Sequence, residues 1–573
     1  MRIASRTRLF PSLTVAMVAA VALWVAPAGA QQPLSPEARQ KIDAVFAAYD
    51  KTNSPGCALA IYRDGEILYE RGYGMADLDH GVAITPQTVF DIGSTSKQFT
   101  AFSILLLERQ GKLSLDDDVR KFLPELPQYE RPITVRHLMQ HTSGLRDYLT
   151  LWGLAGVKTE SWTTQKDAVQ LVFRQKRANF GAGDEWLYSN TGYLLLAEIV
   201  ERACSSKLPD FAHDQIFGPL GMRHTFYLND HTLIIPHRAT GYSPRPGGGF
   251  KTEMSNYEQV GDGSVQTTVE DLLLWDRNFY APKVGDNALL EQEQTVGKLN
   301  NGRSLDYAAG LTVGEYRGLR TVRHGGAWAG YRAELLRFPT EKTSVACLCN
   351  LATTNPSRLA NQVADVVLEK SLKPVAESSQ SRKPTTAVTW SEKELSALAG
   401  LYRNASDARD YRRLSVRNGR LVMTPGNQEL TPIAADRLEF TRTGAQLQVQ
   451  SAKDGTVEIT VVPSQSDSSA KPARFRQLPP PPKLDLLEYA GQYYSEELDT
   501  TYIFDAKGGQ LTFHLKGQAD EAADPVARDI FMQSGGLVIE FQRTNGVPSS
   551  ARVSAGRVRD LEFNKVSGSP RNK

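Results

Sequence analysis

The chain has 573 residues, with 66 Lys and Arg against 64 Asp and Glu, which gives a formal net charge of +2. A chain of this length is too long to fold around a single hydrophobic core, so we expect two or three domains. The balance of charges argues against a nucleic-acid partner, and the 41% of hydrophobic residues is typical of an ordinary folded protein.

The first thirty residues have the pattern of a signal peptide. Three arginines lie within the first eight residues, an apolar run follows at 13–25, and Ala28-Gly-Ala30 supplies small residues for cleavage. Cleavage after Ala30 would leave Gln31 at the start of the mature protein. We therefore expect a periplasmic or secreted protein without an integral membrane segment after cleavage. An uncleaved N-terminal anchor is the alternative.

Residues 31–372 mix helical and strand patterns. A helix is predicted to begin at Ser35-Pro, with apolar residues at 42, 45, 46 and 49. Strands are predicted at 57–62, 67–72, 311–316, 321–324, 331–338 and 343–351, with mainly helical segments up to residue 220 and a last helix at 357–372. Strands at both ends with helices between them predict one antiparallel sheet with a helical insertion.

The remainder of the chain is rich in short strands and turns. A Pro- and Ser-rich linker is predicted at 373–391. Beyond it, segment 395–402 is similar to segment 486–493, and the turn that starts at Asn418 is similar to the one that starts at Gly508. This repeat predicts two domains, at 392–478 and 483–573, each a small antiparallel barrel or sandwich.

The chain has four cysteines, at 57, 204, 347 and 349. Export would permit disulfides, although a chain of this size does not need them. Cys57, Cys347 and Cys349 lie in apolar strand patterns, which favours buried small side chains. With no histidine cluster at ligand spacing, we expect neither a metal site nor a cysteine nucleophile.

Ser94 and Lys97 are the first candidate catalytic pair. They lie in Asp91-Ile-Gly-Ser-Thr-Ser-Lys, just before a segment with apolar residues at helical spacing. Residues three apart on a helix share a face, so the Lys97 amine can reach the Ser94 hydroxyl. A serine needs a neighbour that accepts its proton, and a lysine does so only when burial or positive charge lowers its pKa. The alternative is an exposed serine beside a solvated lysine.

Two later motifs carry polar residues suited to such a site. In Tyr188-Ser-Asn190, the tyrosine could relay a proton, and the asparagine could hold the lysine amine or a substrate carbonyl. A packed tyrosine with a helix-capping asparagine is the alternative. In His324-Gly-Gly326, the glycines permit close approach of a substrate backbone, and the histidine could contact the substrate or shuttle a proton near neutral pH. Here the alternative is a tight turn.

The order Ser-x-x-Lys, Tyr-x-Asn, His-x-Gly resembles that of the serine β-lactamase and penicillin-binding-protein superfamily, over about residues 38–370. Class C-like hydrolases are the most similar, and the layout is that of D-aminopeptidases, in which one of two C-terminal barrels sends a loop into the active site. The resemblance implies an α/β (α+β) serine β-lactamase-like domain with an antiparallel sheet flanked by helices, then two small antiparallel β-barrel-like domains. Segments 133–145 and 261–272 also match, and His141 is implied to be structural.

Carried over residue by residue, the resemblance makes Ser94 the acylated nucleophile and Lys97 its activating partner. Tyr188 becomes the proton carrier and Asn190 the polar anchor for the substrate. The backbone N–H groups of Ser94 and Ala327 would hold the acyl oxygen.

The third motif departs from the pattern of many penicillin-recognising members. Ala327 follows Gly326 on what is expected to be an edge strand, and His324 stands where those members have a lysine. Histidine is mostly neutral at pH 7, whereas lysine is charged and attracts carboxylates. The resemblance therefore implies weak carboxylate recognition and a branch that cleaves amides or esters.

Together, these observations predict an exported serine hydrolase that cleaves amide or peptide bonds through an acyl-Ser94 intermediate. D-amino-acid-containing peptides are among the candidate substrates. An esterase or a weak class C-like β-lactamase is the alternative among enzymes, and a non-catalytic acyl-binding sensor is the alternative outside them. The expected partner is a small-molecule or peptide substrate, with no cofactor and no metal.

Overall fold

The computed structural model describes residues 33–374, 389–441, 443–452, 455–463, 472–481 and 483–566. The predicted signal peptide at 1–30, residue Gln31 and most of the predicted linker at 373–391 lie outside the described residues. The chain forms an N-terminal domain up to residue 374, then a first and a second β-barrel. No helix within the described ranges has the length and apolar character needed to cross a membrane.

The N-terminal domain contains thirteen strands within the described residues. They are β1 (Cys57–Arg63), β2 (Glu66–Tyr73), β3 (Met75–Asp77), β4 (Val82–Ala83), β5 (Phe90–Asp91), β6 (Phe226–Tyr227), β7 (Tyr242–Pro244), β8 (Phe250–Thr252), β9 (Val265–Thr267), β10 (Thr312–Tyr316), β11 (Leu319–Trp328), β12 (Tyr331–Phe338) and β13 (Thr343–Cys349). Six form an antiparallel sheet in the order β10-β11-β12-β13-β1-β2. The predicted sheet from the two ends of the domain is confirmed.

Eleven α-helices of the N-terminal domain lie in the described part of the chain. They are α1 (Pro36–Phe46), α2 (Lys97–Arg109), α3 (Val135–Met139), α4 (Tyr148–Leu154), α5 (Gln165–Phe173), α6 (Asn190–Cys204), α7 (Leu208–Ala212), α8 (Gly218–Leu220), α9 (Val269–Asn278), α10 (Asn287–Glu293) and α11 (Pro356–Val367). The first begins where predicted, because the Ser35 side chain accepts a hydrogen bond from the Ala38 N–H and a proline follows. Helices α1 and α11 pack on one face of the sheet and the helical insertion covers the other.

The cysteines differ from the expectation. Cys57 on β1 lies directly opposite Cys349 on β13, and the two form a disulfide. The strand pattern correctly placed both side chains in the core, but only the strand register brings the two sulfur atoms together. Cys347 remains a buried thiol, and burial raises its pKa well above the ordinary value.

Both C-terminal domains are closed eight-stranded antiparallel barrels, which confirms the predicted architecture. The first follows helix α12 (Glu392–Ala397) and contains β14 (Gly400–Asn404), β15 (Tyr411–Arg417), β16 (Arg420–Thr424), β17 (Gln428–Ala434), β18 (Arg437–Phe440), β19 (Gln446–Ser451), β20 (Val457–Val462) and β21 (Ala473–Gln477). The second contains β22 (Gly491–Ser495), β23 (Thr500–Lys507), β24 (Gln510–Leu515), β25 (Glu521–Ala527), β26 (Ile530–Gln533), β27 (Val538–Thr544), β28 (Val547–Ala555) and β29 (Val558–Val566). In each barrel, strands adjacent in sequence are neighbours.

The second barrel is docked firmly on the N-terminal domain. Its apolar core is continuous with that of the N-terminal domain, whereas the first barrel has a core of its own. The Arg146 side chain, only 1% exposed, forms a 2.7 Å ion pair with Glu497. It also donates hydrogen bonds to the backbone carbonyl oxygens of Arg559 and Asp560. A buried guanidinium needs such partners, so this contact fixes the barrel beside helix α4.

Candidate active site

Ser94 lies on a short 3₁₀ helix, Gly93–Ser96, that leads directly into α2. The start of this 3₁₀ helix is held by Asp91, whose carboxylate accepts a 2.7 Å hydrogen bond from the Gly93 N–H. Ser94 faces a cavity of about 490 Å³ at the junction of the sheet, the helical insertion and the second barrel. The serine is therefore positioned at the start of the helix, as the motif predicted.

Lys97, the first residue of α2, is fully buried beneath the serine. Its Nζ donates hydrogen bonds to Ser94 Oγ (3.0 Å), Asn190 Oδ1 (2.9 Å) and the Asp262 carbonyl oxygen (2.5 Å). Burial lowers the pKa of Lys97 from 10.5 to about 7; the Asp262 carboxylate opposes this change and Arg557 reinforces it. A neutral amine keeps two N–H donors for Asn190 and Asp262 and has a lone pair for the Ser94 proton.

Tyr188 contributes a hydroxyl group to the same cavity. This hydroxyl is buried and has no hydrogen-bond partner within the described residues. The Tyr188 ring lies 4.9 Å from Lys97 Nζ and 4.1 Å from the His141 ring. Burial raises the pKa of Tyr188, and the neighbouring Ser94 and Arg557 offset only part of the rise. The side chain is consequently a neutral phenol at pH 7, able to donate a proton.

Asn190 begins helix α6 and is held from outside the helix. Its N–H donates a 2.7 Å hydrogen bond to the Asp147 carboxylate, which leaves its side-chain oxygen directed at Lys97. His141 supports the same segment, since its Nδ1 accepts a hydrogen bond from the Ser189 N–H. His141 thus positions Tyr188 and Asn190 through ring and backbone contacts.

His324 lies within β11, which extends to Trp328, four residues beyond the predicted strand, so His-Gly-Gly is not a turn. Burial and the nearby Lys97 lower the pKa of His324 to about 3. Nδ1 donates to the Gly325 carbonyl oxygen (2.7 Å), and Nε2 accepts from the Tyr307 hydroxyl (2.9 Å). Both ring nitrogens have hydrogen-bond partners in a neutral ring, which does not favour a proton shuttle near neutral pH, and the contact of His324 with substrate stays a prediction.

Gly326 of β11 allows the close approach of a different backbone from the substrate backbone that was expected. A Cβ on Gly326 would lie 1.9 Å from the Ile92 carbonyl oxygen, so the backbone that approaches is the chain's own segment before the nucleophile. β11 is also not an edge strand, because β10 pairs with its first half. This pairing stops at Thr312 opposite Arg323, however, and the segment of β11 beyond it, which β10 does not cover, lines the cavity with Ala327 beside Gly93.

Two residues of the site carried no catalytic prediction. Asp262 lies in the segment 261–272 that was noted as a match, and its carboxylate accepts a 3.1 Å hydrogen bond from the Tyr148 hydroxyl. Burial raises the pKa of Asp262 to about 6, against the opposing charge of Lys97. Arg557 comes from the turn between β28 and β29 of the second barrel and lines the cavity. No local signal marks Arg557, since only the docked barrel brings it there.

The structure gathers all the predicted site residues around one cavity. Ser94, Tyr188, Asn190, His324, Gly326 and Ala327 line it, and Lys97 reaches it through Ser94. Among the described residues, Asp230, His231 and Glu258 lie close enough together to be potential metal ligands, and they do not line this cavity. The cluster Cys57/Cys347/Cys349 contains the two sulfur atoms of the disulfide.

Comparisons with known proteins agree with this geometry. The Beta-lactamase family model matches residues 42–369. A D-aminopeptidase from Gluconobacter oxydans (strain 621H) is 26% identical over 543 residues, 91% of this chain and 98% of that protein. Penicillin-binding protein 4* from Bacillus subtilis (strain 168) is 31% identical over 327 residues, 54% of this chain and 72% of that protein. The octameric penicillin-binding protein homologue from Pyrococcus abyssi superposes with a TM-score of 0.55 at 22% identity, covering 77% of this chain and 99% of that one.

Proposed function

Because the chain belongs to the Beta-lactamase family and is a serine hydrolase, we propose that it is an exported enzyme that cleaves amide or peptide bonds through an acyl-Ser94 intermediate. The observation that carries this proposal is the 3.0 Å contact between Ser94 Oγ and a buried Lys97 with a pKa of about 7. About half of the Lys97 side chains are then neutral at pH 7 and able to accept a proton.

In acylation, Ser94 Oγ forms a bond to the substrate carbonyl carbon while its proton passes to Lys97. Lys97 is the better base of the two candidates, because the raised pKa of Tyr188 keeps the phenol protonated. As the carbon–nitrogen bond breaks, Tyr188 donates its proton to the leaving amine and regains one from Lys97. Water then attacks the acyl-enzyme and releases the acid, with the same groups used in reverse.

The negative charge on the carbonyl oxygen needs stabilisation in both steps. We assign this role to the backbone N–H groups of Ser94, on the 3₁₀ helix, and of Ala327, on β11, because both residues line the cavity. The loss of one such donor typically costs about 3 to 4 kcal/mol in transition-state stabilisation. Neutral His324 supports β11 by its two hydrogen bonds and takes no part in proton transfer.

Amide cleavage is favoured by the D-aminopeptidase similarity, which extends over 91% of the chain and includes both barrels. Export is proposed from the leader pattern at 1–30, and the Cys57–Cys349 disulfide suits an oxidising compartment outside the cytoplasm. Periplasmic and fully secreted locations are both compatible with these features.

Ser94→Ala tests the nucleophile. The variant should lose labelling by a fluorophosphonate probe and turnover of D-Ala-p-nitroanilide. Ser357→Ala is the matched control, since Ser357 lines the same cavity but its hydroxyl donates to Glu334. Persistent labelling of Ser94→Ala would contradict the assignment. On the wild type, efficient turnover of nitrocefin or of p-nitrophenyl esters alone would favour the β-lactamase or the esterase alternative.

A further inference from the structure

We propose that Arg557, carried into the site by the second barrel, binds a carboxylate of the substrate and so selects anionic substrates. This inference rests on the proposed reaction at Ser94 and specifies the substrates of the same site. Arg557 lies at the turn between β28 and β29 and lines the cavity together with Ser94. A residue of the last β-hairpin therefore belongs to the wall of a site built by the N-terminal domain.

The turn is held in place by groups other than the Arg557 side chain. The Asn179 side chain donates a 3.0 Å hydrogen bond to the Arg557 carbonyl oxygen and accepts one of 2.8 Å from the Arg559 N–H. Arg559 forms an ion pair with Glu185, and buried Arg146 binds the next carbonyl oxygens along the chain. The backbone position of Arg557 is thus fixed while its guanidinium remains available.

The guanidinium has only loose contacts. It lies 4.6 Å from the centre of the Tyr188 ring, and its ion pair with Asp147 spans 3.6 Å, longer than a hydrogen bond. The Asp147 carboxylate is already engaged by the N–H groups of Asn190 and Thr150. The Arg557 side chain is 40% exposed, and its planar fork of N–H donors suits bidentate binding of a carboxylate.

The charges of the cavity point to an anion. Among the described residues that line it, Arg557 is the only one with a permanent positive charge. His324 is neutral, and Asp262 is buried against Lys97 and Tyr148. A substrate carboxylate would gain a charged partner at Arg557, whereas a free ammonium group in the same position would be repelled. His324 lacks the positive charge of the lysine found there in many penicillin-recognising proteins, and Arg557 from the second barrel would supply such a charge instead.

The test uses matched substrate pairs that differ by one carboxylate. On the acyl side, succinyl-D-Ala-p-nitroanilide is compared with acetyl-D-Ala-p-nitroanilide. On the leaving-group side, acetyl-D-Ala-D-Ala is compared with its terminal amide. For each pair, the ratio of kcat/KM for the anionic over the neutral substrate is measured in wild type, Arg557→Gln and Arg557→Lys. Arg552→Gln is the control, because Arg552 is an exposed arginine on the same hairpin, outside the cavity.

We expect Arg557→Gln to lower the anionic-to-neutral ratio about 10- to 100-fold in at least one pair, as is typical for the loss of a charged hydrogen bond. Arg557→Lys should retain part of the preference, and Arg552→Gln all of it. Equal losses for anionic and neutral substrates would overturn the inference, since Arg557 would then act only on Tyr188 and Lys97. An unchanged ratio in both pairs would also overturn it.

A binding measurement separates this inference from the proposed reaction. Calorimetry on Ser94→Ala with acetyl-D-alanine and with its amide requires no turnover. Ser94→Ala should bind acetyl-D-alanine more tightly than the amide, and the difference should disappear when Arg557→Gln is added. This result would support the carboxylate site even if no amide is cleaved. Equal affinities with and without Arg557 would refute it, while Ser94-dependent turnover would leave the reaction intact.

Discussion

The electrostatic balance between Asp262 and Lys97 gives a test of the proposed base. The Asp262 carboxylate is buried close enough to Lys97 to raise the pKa of that lysine, in opposition to burial. Asp262→Asn removes this charge and keeps the size of the side chain. The neutral amine should then be favoured, so the pKa of Lys97 should fall further below about 7.

The size of the effect follows from the pKa values. At pH 7.5 a lysine with a pKa of about 7 is about three-quarters neutral, whereas one at the ordinary 10.5 is neutral in about one molecule in a thousand. An opposite charge at close range typically changes a pKa by about 1 to 3. Asp262 itself has a pKa of about 6. The wild-type enzyme should therefore lose activity between about pH 7 and 6, where Lys97 and Asp262 take up protons as a coupled pair. In Asp262→Asn the midpoint of this loss of activity should lie at about pH 6 or lower.

The assay is kcat/KM for a neutral p-nitrophenyl ester between pH 5 and 9, because this parameter reports the ionisation of the free enzyme. Asp116→Asn is the control, as Asp116 is an exposed carboxylate that pairs with Arg136 and does not line the cavity. An unchanged midpoint would mean that Lys97 does not govern the acidic limb. A midpoint moved to higher pH would refute the reasoning outright, because removing a neighbouring negative charge cannot raise the pKa of a lysine.

Two further predictions concern the docking of the second barrel and the backbone packed beside Ser94. Glu497→Gln leaves the buried Arg146 charge without its partner, so docking of the second barrel should weaken by about 3 to 5 kcal/mol, visible as an earlier calorimetric transition; an unchanged thermogram would contradict it. Gly326→Ala should lower kcat about 100-fold or more, because the new Cβ displaces the backbone that carries Ser94. Gly325→Ala is its control, since a Cβ there would lie 3.1 Å from the Glu334 carboxylate and 3.7 Å from the nearest backbone atom, and equal losses in both variants would argue against a specific effect.

The sheet and the barrels could be predicted from the sequence because their signals are local. Short apolar, strand-like runs marked β1, β2, β12 and β13, and the internal repeat marked the two barrels. The end of β11 was missed, because glycines after His324 weaken a strand pattern while the neighbouring β12 extends the strand by pairing.

Features that depend on long-range geometry could not be predicted in the same way. The Cys57–Cys349 disulfide requires the register of two strands. The neutral state of His324 requires knowledge of its burial, since an exposed histidine would titrate near neutral pH. Arg557 stands in a barrel hairpin with no motif of its own, so its place in the cavity follows only from the Arg146 contacts that dock the barrel.

The pairing of β1 with β13 has a consequence for how the protein reaches its native state. Cys57 and Cys349 are 292 residues apart, so the first strand finds its partner only after almost the whole N-terminal domain has been synthesised. Each barrel, in contrast, pairs neighbouring strands and closes within fewer than a hundred residues. Long loop closures slow folding, so the six-stranded sheet beside Ser94 should form later than sequence order suggests. Until β13 is available, the hairpin of β1 and β2 would leave the free edge of the apolar strand β1 exposed, which favours aggregation.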